Sequence, residues 1–285
     1  MLKRRSTAEQ SAHTYAHQWP SKVYMTVLSN DKYVRGVKAL KRSLRSVKSK
    51  YDLVVLIPED KSDVLTELLK KARIPDAHCR VMTQPKMDVV YPSDVHFEQH
   101  YWEHTFFKLQ VAKCDMFEKI VLLDSDMLIM RNIDDLFEKP HYSAVVAGGV
   151  RHPEWVTFNS GLMVLVPSNT LYRRLADCIA PAMERCYREA CNIGDQDVFQ
   201  EAFPDWPDHP ELSLSETYNA FFEYVYDLRK KYPRNELRVV HFIGSTKPWS
   251  NGVITKENIL RLYQTLRARE IWKFGILLKY LVFSL

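Results

Sequence analysis

Glycine is scarce in this chain, and its scarcity excludes two common ways of binding a nucleotide. Only 8 of the 285 residues are glycine, about 3% against a usual share of roughly 7%. Dinucleotide-binding turns and phosphate-binding loops both need clustered glycines, because their backbone amides must approach a phosphate closely. The chain contains no such cluster. If it binds a nucleotide, we expect other groups to hold the phosphates.

Paired cysteines and long apolar runs are missing as well. The five cysteines are odd in number and form no C-x-x-C pair, which argues against a zinc knuckle and a disulfide framework. No run reaches the ~18 apolar residues of a membrane-spanning helix, and the polar stretch 6–22 lacks the apolar centre of a signal peptide. We expect the apolar stretch 271–285 to pack on the core, with a membrane surface as the alternative. The prediction is a cytoplasmic protein without membrane contact.

The chain carries a mild excess of positive charge. Lysine and arginine number 40 against 35 acidic residues, for a net charge of +5. Eight of the basic residues lie between Lys32 and Lys50, where Val34, Val37 and Leu40 recur at helical spacing. We interpret this segment as a solvated helix face, with an electrostatic docking surface as the alternative. So small an excess does not indicate nucleic acid as a partner.

Strand-like and helix-like segments alternate along the chain. Predicted strands cover residues 22–28, 53–57, 119–123, 143–147, 162–166 and 237–242, and predicted helices cover residues 32–50, 62–72, 106–117 and 168–188. This alternation predicts an α/β fold with a mostly parallel central sheet and flanking helices, whose ligands gather at the carboxyl ends of the strands. We predict a flexible segment over residues 1–20, one domain over 21–250 and a helical extension over 251–285.

Two aspartates follow a continuously apolar predicted strand. Asp124 and Asp126 come directly after residues 119–123 and stand two positions apart. On an extended chain such residues point to the same side, because side chains alternate with a period of two. Paired carboxylates suit Mg²⁺ or Mn²⁺, which would hold a diphosphate in place of a glycine-rich loop. The alternative is a pair of turn-forming or capping aspartates, which is our interpretation of Asp134 and Asp135 downstream.

A histidine at the end of another predicted strand is placed to complete a metal site. His241 follows Val240 and opens a segment that also contains Gly244 and Lys247. An imidazole ligand favours Mn²⁺ over Mg²⁺, and a lysine neutralises charge that develops on a leaving phosphate. A histidine alone is more often structural, so this interpretation depends on the aspartate pair.

Two further polar clusters carry side chains suited to binding a sugar. Asn159 and Ser160 precede an apolar strand, and Asp195 and Gln196 open a predicted helix. Amides and hydroxyls bind sugar hydroxyls, while a carboxylate near an electrophilic sugar carbon stabilises an oxocarbenium-like transition state or acts as a base. The alternative role of Asp195 is that of a helix N-cap.

Five blocks occur together in one order and resemble glycosyltransferase family 8, the group of glycogenin and galactinol synthase. The blocks are residues 29–36, 121–126 with 132–137, 158–161, 194–196 and 241–249, and the resemblance covers roughly residues 23–249. The first block is more similar to galactinol synthase, and the blocks at 158–161 and 241–249 are more similar to glycogenin. One departure is that Asn192 and Ile193 stand where glycogenin has an aspartate and a glycine.

This resemblance implies a Rossmann-like nucleotide-sugar transferase fold of the GT-A type, a UDP-hexose donor and Mn²⁺, with Mg²⁺ as the alternative ion. It implies that the metal is bound by Asp124, Asp126 and His241. Its other implied donor contacts are Val27, Ser29, Asn30 and Tyr33 for uridine, Ser125 for ribose, Lys108 for sugar and phosphates, Asn159, Ser160, Asp195 and Gln196 for the transferred sugar, and Gly244 and Lys247 for the diphosphate. The predicted catalytic residues are Asp195, Gln196 and Lys247.

The resemblance thus predicts a hexosyltransferase that moves glucose or galactose from a UDP-sugar to a hydroxyl acceptor with retention of configuration. The acceptor is a sugar, a polyol or a protein tyrosine. Galactinol synthesis and glycogenin-like self-glucosylation are the two specific variants. A UDP-sugar-binding protein without catalysis is the alternative of another class. Nucleic acid is not an expected partner, and a homodimer is left open.

Overall fold

The computed structural model describes residues 19–87, 106–189, 193–244, 247–249, 260, 264 and 271–285. The segment predicted for residues 1–20 lies almost wholly outside these ranges, as does most of the extension predicted for residues 251–285. Cys191, Asn192, Ser245 and Thr246 lie outside them as well. The division of the chain into three parts therefore stays a prediction.

The first part of the chain alternates strands and helices. The elements are β1 (Lys22–Val27), α1 (Val34–Ser46), β2 (Leu53–Pro58), α2 (Ser62–Lys71) and β3 (Cys79–Gln84). All six residues of β2 are buried, as expected for a parallel strand that is covered on both faces. The predicted strand–helix repeat is confirmed.

The main sheet has six strands and is mostly parallel. Its later strands are β4 (Lys119–Leu123), β6 (Ala144–Val145) and β7 (Asn159–Leu165), and its order is β3-β2-β1-β4-β7-β6. The first four strands in this order run parallel, whereas β7 is antiparallel to both β4 and β6. The predicted α/β class is confirmed. The carboxyl ends of β1, β2 and β4 and the amino end of β7 therefore lie at the same end of the sheet.

A second sheet of three short strands begins just after β4. Its members are β5 (Met127–Ile129), β8 (Ala220–Phe221) and β9 (Val239–His241). β9 lies in the middle, antiparallel to β5 and parallel to β8. The intervening helices are α3 (Asn169–Arg188), α4 (Asp195–Ala202) and α5 (Val225–Lys231). The hydroxyl of Ser168 accepts from the Leu171 N–H and caps α3 at the predicted position.

The last helix, α6 (Ile271–Ser284), packs against α1, as expected for the apolar stretch 271–285. Its Tyr280 is fully buried in an apolar cluster that includes Ala39 of α1. Lys38 Nζ donates to the Leu285 carbonyl at 2.6 Å, and Arg42 donates to another carbonyl at this end of α6 at 3.1 Å. Positive charge at a helix C-terminus is stabilising. Among the described residues, no helix is both long and apolar enough to cross a membrane.

The basic segment is less solvated than its pattern predicts. Lys41 is buried, and its Nζ lies 2.7 Å from Asp76 Oδ2. Arg35 and Arg42 stay exposed, although Arg42, like the partly buried Lys38, also donates to a carbonyl at the end of α6. The interpretation as a solvated face is therefore wrong for Lys41, because the turn after α2 packs against α1.

Some short elements differ from the sequence prediction. β3, β5 and β8 are not among the predicted strands, because β3 is half polar and the other two are too short to show a period. The predicted helix over residues 106–117 is a 3₁₀ segment, Phe107–Lys113, in which all residues but the last are buried. The predicted strand 143–147 shortens to β6, because a register shift interrupts its pairing with β7.

Candidate active site

The turn after β4 carries the two aspartates. β4 ends at Leu123, and the Met127 N–H donates to the Asp124 carbonyl at 3.2 Å, which closes a tight turn through Asp126. β5 starts at Met127 and pairs with β9 in a register that sets Met127 opposite His241. The turn and this pairing bring His241 beside both aspartates. The convergence does not come from alternation along an extended strand, so that part of the prediction is wrong.

Asp124, Asp126 and His241 form a compact cluster. His241 Nε2 lies 3.2 Å from Asp126 Oδ1 and 3.7 Å from Asp124 Oδ2. One ligand atom from each residue lies within 4.8 Å of the others. The side chains of His241 and Asp126 are 5% and 9% exposed, whereas that of Asp124 is 32% exposed. Asp124 is therefore the member of the cluster that solvent reaches most easily.

This donor set fits a hard divalent cation. Two carboxylates and one imidazole provide oxygen ligands and a nitrogen ligand, a combination that suits Mn²⁺ and also accepts Mg²⁺. The three predicted metal ligands are thus brought together closely enough for one ion to contact all of them.

Two buried lysines balance the carboxylates. Lys108, from the 3₁₀ segment, has its Nζ 2.7 Å from Asp124 Oδ1 and 2.9 Å from Asp195 Oδ2. Lys247 Nζ donates to Asp126 Oδ2 at 2.5 Å and to a backbone carbonyl at 2.7 Å. Lys108 therefore joins the predicted metal ligands to the carboxylate predicted to contact the sugar.

These ion pairs control the protonation of the cluster. Burial alone would raise the pKa of Asp126, but His241 and Lys247 outweigh it and hold that pKa well below the usual range. Burial, opposed by Lys108, leaves the pKa of Asp124 above its usual value. Burial alone would lower the pKa of Lys108, but its two carboxylate partners raise it, so this lysine stays charged.

The antiparallel strand β7 brings the predicted sugar-binding residues to the same edge. Because β7 runs against β4, its first residues, Asn159 and Ser160, lie near the turn after β4. Ser160 Oγ donates to Asp195 Oδ2 at 2.7 Å. Gln196 Oε1 accepts from Asn159 Nδ2 at 2.8 Å and from the Ser160 N–H at 3.2 Å. The two polar clusters of the sequence therefore form one hydrogen-bonded group.

The alternative role of Asp195 as a helix N-cap is wrong. Gly194 occupies the N-cap position of α4, and its N–H donates to the Asp197 carboxylate at 2.7 Å. The Asp195 carboxylate contacts Ser160 and Lys108 instead. Asp195 thus belongs to the polar group rather than to the end of the helix.

Two glycines permit the close packing of this region. A Cβ at Gly161 would lie 2.6 Å from His241 Cε1 and 2.8 Å from Asn159 Oδ1. A Cβ at Gly36 would lie 2.6 Å from the Ser125 carbonyl. A side chain at either position would displace the imidazole or the turn that carries the aspartates.

A cleft beside the cluster contains the predicted uracil-stacking residue. It has a volume of about 940 Å³ and is lined in part by Tyr33, Lys247 and Trp249. The Tyr33 and Trp249 rings meet edge to face with centroids 5.9 Å apart, and Lys247 Nζ lies 5.9 Å from the Tyr33 ring. Lys247 therefore belongs to both the cleft and the cluster. The other predicted uridine contacts, Val27, Ser29 and Asn30, lie at and just beyond the carboxyl end of β1 and are not among the residues that line this cleft.

The remaining predicted residues lie close by, and one unpredicted residue joins them. Ser125 is buried within the aspartate turn, and Gly244 lies just past β9 with a φ of 84°. Asn219 is fully buried, and its Oδ1 lies 2.9 Å from His241 Nδ1. No motif or period marks Asn219 in the sequence, because its neighbours in space come from β7 and β9.

Comparisons with known proteins agree with one another. A family model described as Glycosyl transferase family 8 matches residues 25–252. Glycogenin-1 of Caenorhabditis elegans is 31% identical over 245 residues, which are 80% of this chain and 51% of that protein. Inositol phosphorylceramide glucuronosyltransferase 1 of Arabidopsis thaliana is 28% identical over 247 residues, which are 79% of this chain and 42% of that protein. The chain spans about half the length, or less, of these two curated relatives.

A solved structure shares the fold. The glycosyltransferase GlyE of Streptococcus pneumoniae TIGR4 has a TM-score of 0.54 at 18% identity, covering 84% of this chain and 59% of that one. A likeness at such low identity bears on the fold alone. It confirms the predicted GT-A type fold with a mostly parallel central sheet.

Proposed function

The chain belongs to glycosyltransferase family 8, as its motifs predict, and from this premise we propose that it is a metal-dependent hexosyltransferase. It moves a hexose from a UDP-sugar to a hydroxyl acceptor with retention of configuration. Mn²⁺ is the proposed ion, with Mg²⁺ as the alternative. The observation that supports this proposal most is the position of Lys108, whose ammonium contacts both Asp124 and Asp195.

Asp124, Asp126 and His241 are the proposed ligands of the ion. A bound divalent ion supplies positive charge that neutralises the diphosphate of the donor and of the departing UDP. The depressed pKa of Asp126 keeps this ligand ionised throughout the physiological range. The larger exposure of Asp124 gives an ion a route to the cluster from solvent.

Lys108 and Lys247 provide fixed positive charge beside the diphosphate. Both side chains are largely buried, and buried charges attract phosphate oxygens more strongly than exposed ones do. Lys247 also lines the cleft that contains Tyr33, so it stands between the nucleoside and the metal ligands. We assign to Lys247 the stabilisation of charge on the leaving phosphate.

Asp195 and Gln196 act on the transferred sugar. Ser160 and Lys108 hold the Asp195 carboxylate at 2.7 and 2.9 Å. A carboxylate fixed in this way stabilises the positive charge that develops at the anomeric carbon when its bond to UDP breaks. Gln196 Oε1 already accepts from Asn159 and from the Ser160 N–H, which leaves its Nε2 to donate to a sugar hydroxyl.

The nucleoside occupies the cleft that Tyr33, Lys247 and Trp249 line in part. The Tyr33 ring stacks on uracil, and the edge-to-face contact with Trp249 orients that ring. Trp249 is itself held by a hydrogen bond from its Nε1 to the Lys32 carbonyl at 2.7 Å. The nearby backbone and side chains that complete the uridine and ribose contacts are Val27, Ser29, Asn30 and Ser125.

The identities of the donor sugar and of the acceptor distinguish the possible activities of this transferase. Glucose and galactose are the proposed hexoses, and because the Arabidopsis thaliana relative is named a glucuronosyltransferase, a glucuronosyl donor should be tested as well. Self-glucosylation and galactinol synthesis are the two specific outcomes for the acceptor. We also propose a cytoplasmic location, because Cys79, Cys114, Cys178 and Cys186 are free thiols, which suits a reducing compartment.

One experiment tests the activity and separates these variants. The chain is incubated with Mn²⁺ and each UDP-sugar, released UDP is quantified, and the intact protein mass is measured. UDP release that needs Mn²⁺ supports the proposal. A ladder of added hexose masses indicates self-glycosylation, and release without a ladder indicates water or a separate acceptor. UDP-sugar binding without turnover on any acceptor would instead indicate a binding protein.

A further inference from the structure

A chain of amide side chains connects the sugar-binding residues to His241. Asn219 stands at its centre and is fully buried. Its Nδ2 donates to Asn159 Oδ1 at 2.8 Å, and its Oδ1 lies 2.9 Å from His241 Nδ1. Asn159 in turn donates from its Nδ2 to Gln196 Oε1 at 2.8 Å. Four side chains from separate parts of the sequence therefore share one continuous line of hydrogen bonds.

Two backbone N–H groups determine which amide atoms in this line are oxygens and which are nitrogens. The Gly161 N–H donates to Asn159 at 3.0 Å, and the Ser160 N–H donates to Gln196 at 3.2 Å. A backbone N–H can only donate, so the amide atoms that face these two groups must be oxygens. The orientation of Asn159 and of Gln196 therefore follows from β7 itself and does not depend on a choice between amide oxygen and nitrogen.

The order of donors and acceptors that is set at Asn159 also determines the orientation of Asn219 and the protonation of the imidazole nitrogen beside it. Because the Asn159 oxygen faces Asn219, the atom of Asn219 that faces it must be the Nδ2 donor. The Asn219 oxygen is then the atom that faces His241 Nδ1, and this nitrogen must carry a proton. Reversing Asn219 would set two oxygens against each other at one end and leave the Nδ1–H facing an amide donor at the other.

We infer that Asn219 is a positioning residue that holds His241 in the tautomer protonated at Nδ1 and ties this tautomer to the orientation of Asn159 and Gln196. His241 Nε2 is the nitrogen beside Asp126 and Asp124. With the proton held on Nδ1, the lone pair of the neutral ring lies on Nε2, where a divalent cation takes it. The use of that lone pair rests on the proposed function, whereas the tautomer does not.

The tautomer is measured by nitrogen NMR on the metal-free chain. The protein is labelled with ¹⁵N-histidine, the His241 signals are assigned by their loss in His241→Gln, and spectra are recorded at alkaline pH, where imidazoles are neutral. We expect a protonated Nδ1 in the wild type, whatever the state of Nε2, which in the absence of metal faces Asp126 Oδ1 at 3.2 Å and can donate a proton to it. Asn219→Leu, which has a similar volume and no amide, should shift the population toward the Nε2–H form. A wild-type ring without a proton on Nδ1 would overturn the inference.

Metal binding provides a second readout that does not require turnover. The affinity for Mn²⁺ alone, without nucleotide, is measured by electron paramagnetic resonance of the free ion. Asn219→Leu should weaken Mn²⁺ binding about 10–100-fold, the usual cost of losing the partner of a metal-bound histidine. Unchanged affinity in a folded Asn219→Leu chain would count against the inference.

Asn219→Asp separates the contact of residue 219 with His241 from its contact with Asn159. Its carboxylate still accepts from His241 Nδ1 but has no donor for Asn159 Oδ1. Mn²⁺ binding should therefore be retained, while binding of the UDP-sugar, measured by calorimetry, should weaken. If Asn219→Leu fails to fold, this variant and the wild-type tautomer still decide the matter, because lost Mn²⁺ binding in a folded Asn219→Asp chain contradicts the assigned role.

Asn132→Ala is the matched control. The Asn132 side chain donates to the Asp134 carboxylate at 3.0 Å and to two backbone carbonyls, away from His241. It should lower stability without changing the tautomer or the Mn²⁺ affinity. If the chain showed no transferase activity at all, the proposed function would fail, but the Nδ1 proton of His241 would still test the role of Asn219.

Discussion

Two pairs of aspartates stand close together in the sequence and have different surroundings. Asp124 and Asp126 contact the lysines Lys108 and Lys247 and the imidazole of His241. The second pair, a short way downstream, is Asp134 and Asp135. Its contacts are with hydroxyls, amides and an arginine. The comparison shows which carboxylates hold the fold and which are available for a ligand.

Asp134 is a structural carboxylate. It accepts from the hydroxyls of Tyr24 and Ser49 at 2.8 Å, and from the Lys50 N–H and Asn132 Nδ2 at 3.0 Å. These donors come from β1, from the loop after α1 and from its own turn, so the carboxylate ties three segments together. The predicted role was that of a turn-forming or capping residue, but the carboxylate makes no capping hydrogen bond in the 3₁₀ turn that begins at Asp134, and most of its contacts are with distant segments.

The chemistry of the partners explains the difference. Hydroxyl and backbone donors are fixed by the fold, and they satisfy the hydrogen-bonding capacity of the carboxylate. At an open end of a sheet, lysine and imidazole partners can move away from a carboxylate when a cation binds to it. They can then contact an anionic ligand, so that their positive charge remains balanced. Charged partners at a strand end therefore indicate a ligand site, whereas the neutral donors around Asp134 indicate a structural role.

The largest expected effect is that of Asp126→Asn on activity. The substitution preserves shape but removes the negative charge shared by Lys247, His241 and the proposed ion, so Mn²⁺-dependent UDP release should fall about 10³-fold. A steady-state assay at saturating UDP-sugar measures the loss. Asp134→Asn is the matched control, because it removes one charge from the other pair. A comparable loss of activity in that control would break the comparison.

Lys108→Met should have the next largest effect. It removes the charge between Asp124 and Asp195 while keeping most of the buried aliphatic volume, and we expect kcat to fall about 10²-fold. Lys119→Met serves as the control, since Lys119 donates to two backbone carbonyls, at 2.9 and 3.0 Å. A wild-type kcat in a folded Lys108→Met chain would remove Lys108 from the mechanism.

Asp134→Asn should act on stability rather than on catalysis. An amide can accept at its oxygen only, so part of the present hydrogen bonding is lost, and the free energy of unfolding should fall by about 1–2 kcal/mol. Urea denaturation followed by circular dichroism measures this change. UDP release by the folded variant should stay close to that of the wild type. If the free energy of unfolding of Asp134→Asn equals that of the wild type, the hydrogen bonds to the Asp134 carboxylate do not stabilise the fold.

The smallest expected effect is on acid stability. Burial alone would raise the pKa of Asp134, but hydrogen bonds from Lys50, Asn132 and Ser49 outweigh it and lower this pKa. A carboxyl whose folded pKa lies below its unfolded value of about 4 contributes stability above that pH and loses it as the pH falls through the folded pKa. Since the group is partly exposed, the contribution is below about 1 kcal/mol.

Urea titrations at a series of acidic pH values test this expectation. Below pH about 4, the stability of the wild type should fall more steeply than that of Asp134→Asn, which has no carboxyl to protonate at this position. Parallel curves for the two proteins would show that Asp134 does not contribute to the pH dependence.

Local patterns account for the elements that the sequence predicts best. β4 matches its predicted range, because five consecutive residues without a turn former are typical of a buried strand. α3 matches the predicted helix 168–188 to within one residue, because the apolar period is a property of neighbouring residues. The edge strand β3 and the short β5 and β8 exist only through their partners, so no local pattern reveals them.

The members of the candidate site were predictable from motifs, but their contacts were not. Asp124, Asp126 and His241 stand out as strand-end residues of the right chemistry. The link from Lys108 to Asp195 depends on where the 3₁₀ segment lies against α4, and the place of Asn219 depends on β7 and β9 together. No spacing within the sequence encodes either of these contacts.

The sequence by itself determined the α/β class, the absence of a glycine-rich phosphate loop and the residue types of the candidate site. Those features depend on composition and on the period of nearby side chains, which short-range sterics and burial translate directly into strands and helices. Only the tertiary structure decided that a tight turn and the pairing of β5 with β9 bring His241 to the aspartates. It also decided that β7 sets the direction of the amides through Asn219, since backbone donors act on whichever side chains the fold brings within hydrogen-bond distance.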